Sequence, residues 1–316
     1  MPFKKIISFT IKLLIGVISF YIIYNRLAHI PHFKETCVQW FANTNMYVVL
    51  VIALLLMPVN WGIESYKWNI ITQQLEPLSY RTSLNAVLAG ICIGNIAPGR
   101  AMEFLAKIYY FKPQNQPSAT ILHFINGMFQ MLITVTVGLV AIAYKLYKSN
   151  QSVGFVYVAL IGGMVMVLFF VWAIFNVSWI QQKLKFIKWF KRMEGSEKLT
   201  FSKALITKLV ILSVLRYIVF TGQFFIIYKV FVPEANSFHV FTSVASYFMI
   251  TSIIPMISFI EPAIRAAIAI IVFNAPTDNE TLVVLTATLL WLINVVIPSI
   301  FGYIIILKEK IQFKKT

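Results

Sequence analysis

The chain has 316 residues, 59% of them hydrophobic and 12% charged, which is too little polar surface to coat a soluble globule; it reads as an integral membrane protein. A net charge of +16 would suggest nucleic acid in a soluble protein, but positive-inside bias and anionic lipid headgroups account for it here, and no nucleic-acid module stands outside the apolar runs. The longest charged segment, about residues 176–203, is far below domain size, so one membrane domain is expected to occupy residues 1–316.

Lys4 and Lys5 precede the first apolar run, about 6–24, and no small-residue cleavage site follows it, so an uncleaved first helix is expected. Residues 32–43 are too short and mixed to span; an interfacial piece carrying Trp40 fits them. A second span covers about 46–61, interrupted by Pro58, and runs into Asn60-Trp61-Gly62-Ile63-Glu64-Ser65-Tyr66-Lys67-Trp68; residues 69–83 read as a polar connection. Residues 84–97 supply about fourteen mostly apolar residues before the Pro98-Gly99 break, where ~20 are needed to cross. With the short run 101–111 after the break, this predicts a re-entrant hairpin.

Residues 118–144 are long enough to span, with His123, Asn126, Gln130 and Thr134 at helical spacing on one inward face. A featureless span at 153–175 is followed by a basic, aromatic interfacial helix at 178–193. The run 204–231 spans again, carrying Lys208 near one end and Arg216 well inside. Residues 240–254, 255–262 and 263–274 repeat the short-break-short pattern, and 281–307 crosses with a bend expected at Pro298.

Charge order orients this layout. With both termini cytoplasmic and each hairpin returning to its own side, the inside receives Lys4, Lys5, Lys67, Arg81, Lys107, Lys112, the seven bases of 176–203, and Lys308, Lys310, Lys314 and Lys315. The outside receives only Arg26, Lys34, Lys145, Lys148, Lys229 and Arg265, as expected for a protein of the cytoplasmic membrane. The same sequence of segments occurs in 6–144 and again, from the opposite side, in 153–307. The expected fold is therefore an all-α polytopic membrane helical bundle with two re-entrant, broken-helix hairpins in an inverted-topology repeat.

Five charges fall within or beside the two breaks: Arg100, Glu103 and Lys107 in the first, Glu261 and Arg265 in the second. Each glutamate has a base four residues later. Such a pair returns about 0.2–0.5 kcal/mol on an isolated helix, against roughly 2.5–3.5 kcal/mol for each charge at the bilayer centre. Local neutralisation is therefore not enough, and a water-filled cavity or further protein partners are expected. A helix restarting at Ala101 beside Arg100 would present free N–H groups and a positive dipole end, which suits a phosphate. Glutamate beside it would take a cationic headgroup or a coupling proton. Arg216 has similar standing or else pairs with Glu64 or Glu261, Lys208 snorkels, Glu64 is either a helix-end acid facing water or part of the site, and Asn126 lines the cavity or an interhelical seam. The candidate substrate-binding set is Glu64, Arg100, Glu103, Lys107, Asn126, Arg216, Glu261 and Arg265, with Glu103 and Glu261 expected to approach one cavity.

Enzyme chemistry finds little support. Asp278 is the only aspartate, so there is no Asp-x-Asp metal motif, and neither His-Glu-x-x-His nor Gly-x-Ser-x-Gly occurs. His29 and His32 have only Glu35 nearby, and Cys37 and Cys92 are far apart, so no metal, cofactor or disulfide framework is expected.

The segments Asn60-Trp61-Gly62-Ile63-Glu64 with Lys67-Trp68, Pro98-Gly99-Arg100 with Glu103 and Lys107, and Pro255 to Glu261 resemble the lysylphosphatidylglycerol synthase transmembrane region, also called the flippase-like domain. The resemblance covers essentially the whole chain. That family usually has glycine where this chain has Met102, and often arginine where it has Lys107, which bears on the substrate more than on the fold. The resemblance implies a lipid flippase, as in the membrane half of bifunctional aminoacyl-phosphatidylglycerol synthases or in proteins linked to polyprenyl-glycan assembly. The partner would be a membrane lipid, an anionic phospholipid or a lipid-linked headgroup; a homo-oligomer is left open, and synthesis of an aminoacyl lipid is not expected. The alternatives are a membrane-embedded glycosyl or acyl transferase, or a subunit of an envelope assembly complex.

Overall fold

The computed structural model describes residues 44–95, 102–149, 154–193, 198–254, 261–274 and 277–309, together with Glu35 and Val38. The expected first span, most of the interfacial piece at 32–43, both break segments with Arg100, His29, His32 and Lys310–Lys315 lie outside these residues. Among the described residues every regular element is helical: α1 (Thr44–Thr72), α2 (Tyr80–Gly94), α3 (Glu103–Ile108), α4 (Gln116–Ser149), α5 (Gly154–Phe175), α6 (Val177–Leu184), α7 (Lys203–Phe231), α8 (Ser237–Ile253), α9 (Glu261–Phe273), α10 (Thr277–Trp291) and α11 (Ile297–Lys308), with a 3₁₀ turn at Phe190–Met193 and a π turn at Leu292–Val296.

Four stretches are long and apolar enough to cross a bilayer: Asn45–Thr72, Gln116–Lys148, Lys203–Phe231 and Glu280–Lys308. A helix of 29 residues such as α1 is about 43 Å long, ample for a hydrocarbon core of about 30 Å. Helix α1 also overruns the expected end of its span. Pro58 is accommodated inside it and the helix continues to Thr72, so the polar stretch with Glu64 and Lys67 is helical and the connection shrinks to 73–79. Side-chain caps fix three helix starts: Ser79 accepts from the Thr82 amide, Ser202 from Leu205, and Asn236 from Phe238 and His239.

Helix α5 is apolar all round and exposes Ile161, Met164, Val165 and Leu168, the pattern of a lipid-facing helix. Beyond it the chain bends by 82° into α6, whose Trp179 and Lys183 sit on an exposed, amphipathic surface. Short α3 packs back along α2, and α9 packs against α8. Gly302 brings α11 against α2, since a methyl group there would overlap the Leu88 carbonyl oxygen. Small residues at helix crossings are a common solution where lipid gives no hydrophobic push.

At Pro298, where a bend is expected, the last span carries a π turn. Pro298 has no N–H, so the carbonyl of Asn294, four residues earlier, loses its helical donor. The helix slips into the π turn Leu292–Val296 immediately before the proline, and the Trp61 indole N–H donates to that carbonyl at 3.1 Å. The backbone consequence of one proline thus becomes a fastening between the last span and α1.

Two large cores dominate the packing. One gathers Trp68, Ile71, Ile91, Phe111, Leu122 and Ile125 of α1 to α4, with Leu209 of α7; the other gathers Phe224, Tyr228, Val244, Tyr247, Phe273 and Leu290 of α7 to α10. Met57 of α1 touches both.

Candidate functional site

Glu64 stands in the first core with 6% of its surface exposed, although the sequence places it near the end of an apolar run. Three cations from three helices converge on it. Arg216 of α7 brings Nη1 to 3.2 Å from Oε2, Lys67 of α1 brings Nζ to 3.5 Å from the same oxygen, and Lys107 of α3 brings Nζ to 3.6 Å from Oε1. The Asn126 amide of α4 donates to Oε1 at 2.7 Å. Lys107 is held more tightly by Glu103, at 2.8 Å, and stands over the Trp68 ring. The result is a chain of alternating charge, Glu103–Lys107–Glu64–Arg216, through the interior of the bundle.

Glu64 is thus not a water-facing helix end. Two bases counted with the cytoplasmic surface, Lys67 and Lys107, are also fully buried, because their helices turn them inward onto this acid. Burying such charges is tolerable only when they are paired, since the desolvation cost runs to several kcal/mol per ion. Of the polar stripe on α4, Asn126 and Thr134 are buried, Gln130 donates to the Ser213 carbonyl at 3.3 Å, and His123 packs among Trp68, Phe104 and Phe124.

Arg216 sits at the middle of α7 and is held from both ends of its guanidinium. Its Nε donates to Asn60 Oδ1 at 3.0 Å while its plane lies over the Trp61 ring, 4.9 Å from the centroid. Asn60 donates to Asn294 Oδ1 at 3.1 Å, Asn294 donates to Gln223 Oε1 at 3.0 Å, and Gln223 donates to the Ala53 carbonyl at 2.7 Å. This ladder of three buried amides spans α1, α7 and the π turn. Sequence reasoning passed over Asn294 and Gln223; the available signal was an isolated amide inside an otherwise apolar span, where a polar side chain needs a partner.

The second pair joins two residues of one helix, and Arg265 also bonds Tyr247 of α8. Arg265 binds Glu261 through Nε and Nη2, both at 2.8 Å to the same Oε1, within the first turns of α9. Arg265 and Arg216 nevertheless line one open cavity of about 190 Å³, together with Asn60, Trp61, Gln130, Thr134, Tyr247, Thr251, Trp291 and Asn294. Neither Glu103 nor Glu261 is on that wall; each stands behind a cation. Arginines, then, rather than the two glutamates, meet at the cavity. Arg216 pairs with Glu64, not with Glu261. Lys208, at the edge of the same helix, lies over the Tyr66 ring at 4.9 Å. Among the described residues no group of three His, Cys, Asp or Glu side chains is close enough to hold a metal.

An apolar helical bundle with four helices long enough to cross a bilayer, and with ion-paired arginines turned onto a cavity, is an integral membrane protein. The chain belongs to the family of the lysylphosphatidylglycerol synthase transmembrane region, whose model matches residues 11–307, and so to membrane proteins concerned with lipids. No curated protein and no solved structure matches it.

Proposed function

We propose that this protein is a lipid flippase, a non-enzymatic transporter that passes the phosphate-bearing headgroup of a phospholipid or polyprenyl-phosphate lipid across the cytoplasmic membrane. The observation that carries this reading is that Arg216 and Arg265 line one cavity whose wall has no carboxylate, their acids Glu64 and Glu261 standing behind them. Guanidinium groups present several N–H donors in a fixed fork and remain charged at any relevant pH, which suits a phosphate. A volume of about 190 Å³ falls below the roughly 300–1,000 Å³ of sites that enclose whole drug-sized ligands, so it suits a headgroup whose acyl chains stay in the bilayer.

In this reading α2–α3 and α8–α9 are two re-entrant hairpins of an inverted repeat, entering from opposite faces, with both termini cytoplasmic. Each hairpin contributes a glutamate-braced cation, Lys107 on one side and Arg265 on the other.

Purified protein in vesicles with a fluorescent phosphatidylglycerol tests this through loss of fluorescence to an external quencher. Arg216→Gln and Arg265→Gln should each slow flipping about tenfold or more, the worth of one hydrogen bond to a charged group. Undiminished flipping in both variants, or covalent conversion of the lipid in place of its movement, overturns the proposal.

A further inference from the structure

Lys67 is the one cation of the first cluster that the headgroup reading leaves without a task. It is completely buried, its Nζ makes no hydrogen bond, and its nearest acid is Glu64 Oε2 at 3.5 Å. Arg216 approaches that same oxygen at 3.2 Å, and Oε2 accepts a hydrogen bond from neither. Two cations thus share one carboxylate oxygen without either closing on it. The other oxygen is occupied differently, by the Asn126 amide at 2.7 Å and more loosely by Lys107 at 3.6 Å. Lys107 cannot readily come closer, because Glu103 holds it at 2.8 Å.

Resting on the headgroup reading, we propose that Lys67 is a positioning residue for Arg216: it takes over Glu64 Oε2 when Arg216 turns toward the phosphate in the cavity. A buried carboxylate that loses a cation is strongly destabilised unless another replaces it. Releasing Arg216 is therefore coupled to a short advance of the Lys67 ammonium, from 3.5 Å to ordinary hydrogen-bond distance. Lys67 and Glu64 lie on one helix, three positions apart, so the advance needs a change of side-chain torsions only. Arg216 keeps its Nε on Asn60 throughout, which pivots the guanidinium instead of freeing it. The net charge of the cluster is unchanged by the exchange, so a charged headgroup is admitted without stranding Glu64.

The test is a double-mutant cycle on the purified full-length chain, with dioctanoyl phosphatidylglycerol in detergent as the probe and its Kd as the readout. Lys67→Met should weaken binding about tenfold, and Lys67→Arg, which restores a cation able to reach Oε2, should recover most of that loss. In a Glu64→Gln background, with no carboxylate to satisfy, Lys67→Met should change Kd little. Should Lys67→Met fail to fold, Lys67→Gln carries the same expectation. Unaltered binding by the neutral variants, or an equal loss with and without the Glu64 carboxylate, overturns the exchange while leaving the headgroup site standing. Probe binding that is indifferent to Arg216→Gln overturns the headgroup site, and the exchange with it.

Discussion

The two acid–base groups beside the cavity are built on opposite plans. Glu261 and Arg265 lie on one helix, four residues apart, and their pairing is set by local geometry. Glu64 is served by α1, α3, α4 and α7, and its surroundings exist only when those four helices are assembled. A local pair travels with its helix, whereas a cluster drawn from four helices fixes them against one another. The first cluster therefore fixes four helices against one another, while the α9 ion pair joins two residues of its own helix. Helix α9 meets the rest chiefly through α8 and α10.

Removing the charge of the central acid should give the largest effect. Glu64→Gln leaves Arg216, Lys67 and part of the Lys107 charge buried without their carboxylate, a loss of about 3–5 kcal/mol by comparison with other broken buried pairs. Its melting temperature in detergent should fall well below that of Glu261→Gln, for which about 1.5–3 kcal/mol is expected, because only one, partly exposed cation loses its acid there. Equal melting temperatures for the two variants would erase the distinction between a cluster drawn from four helices and a pair on one.

A smaller change probes the four-helix cluster without touching a charge. Gly90 of α2 lies against α3: a β-carbon there would stand 3.0 Å from Glu103 Cγ and 3.2 Å from the Glu103 carbonyl oxygen. Because one neighbour is backbone, Gly90→Ala must push α3 away by a few tenths of an ångström, carrying Lys107 with it. The cost should be about 1–3 kcal/mol, in the range of an overpacked site. Differential scanning in detergent would register it, and Glu103→Gln added to Gly90→Ala should cost less than the two changes do separately, since both loosen the same contact.

The contrast also explains what could be read in advance. The 3.6-residue spacing that makes Glu261 and Arg265 neighbours is a property of the sequence, as is the excess of apolar runs that gives the helical bundle. Glu103 and Lys107 were legible for the same reason. Glu64 with Arg216 was open to two partners, because 152 residues separate them and no local rule chooses between acids on different helices. The burial of Lys67 is hidden from the sequence, because a lysine just beyond an apolar run ordinarily faces water and nothing local shows that α1 continues past Trp61 to Thr72. The role of Asn294 depends on the carbonyl left open by Pro298, which a tally of apolar residues does not reveal.

The smallest effect should come from a second cation on α7. Lys208 is five residues into the helix that begins at Lys203, whereas Arg216 lies eight residues, or about 12 Å, further along. Depth separates their roles: near the helix end a long side chain reaches water, so its ammonium needs no counter-ion and lies over the exposed Tyr66 ring. At the helix midpoint that escape is closed, and the cation must be held by Glu64 and Asn60. Lys208→Ala should therefore cost no more than about 0.5–1 kcal/mol, the range of an exposed cation–π contact, and leave flipping close to the unaltered rate. Measured in the same vesicles as Arg216→Gln, it separates a requirement for positive charge on α7 in general from a requirement for the one guanidinium that faces the cavity. If Lys208→Ala slowed flipping as much as Arg216→Gln, the cavity would lose its claim to be the path, and the charge of the whole helix would have to be considered in its place.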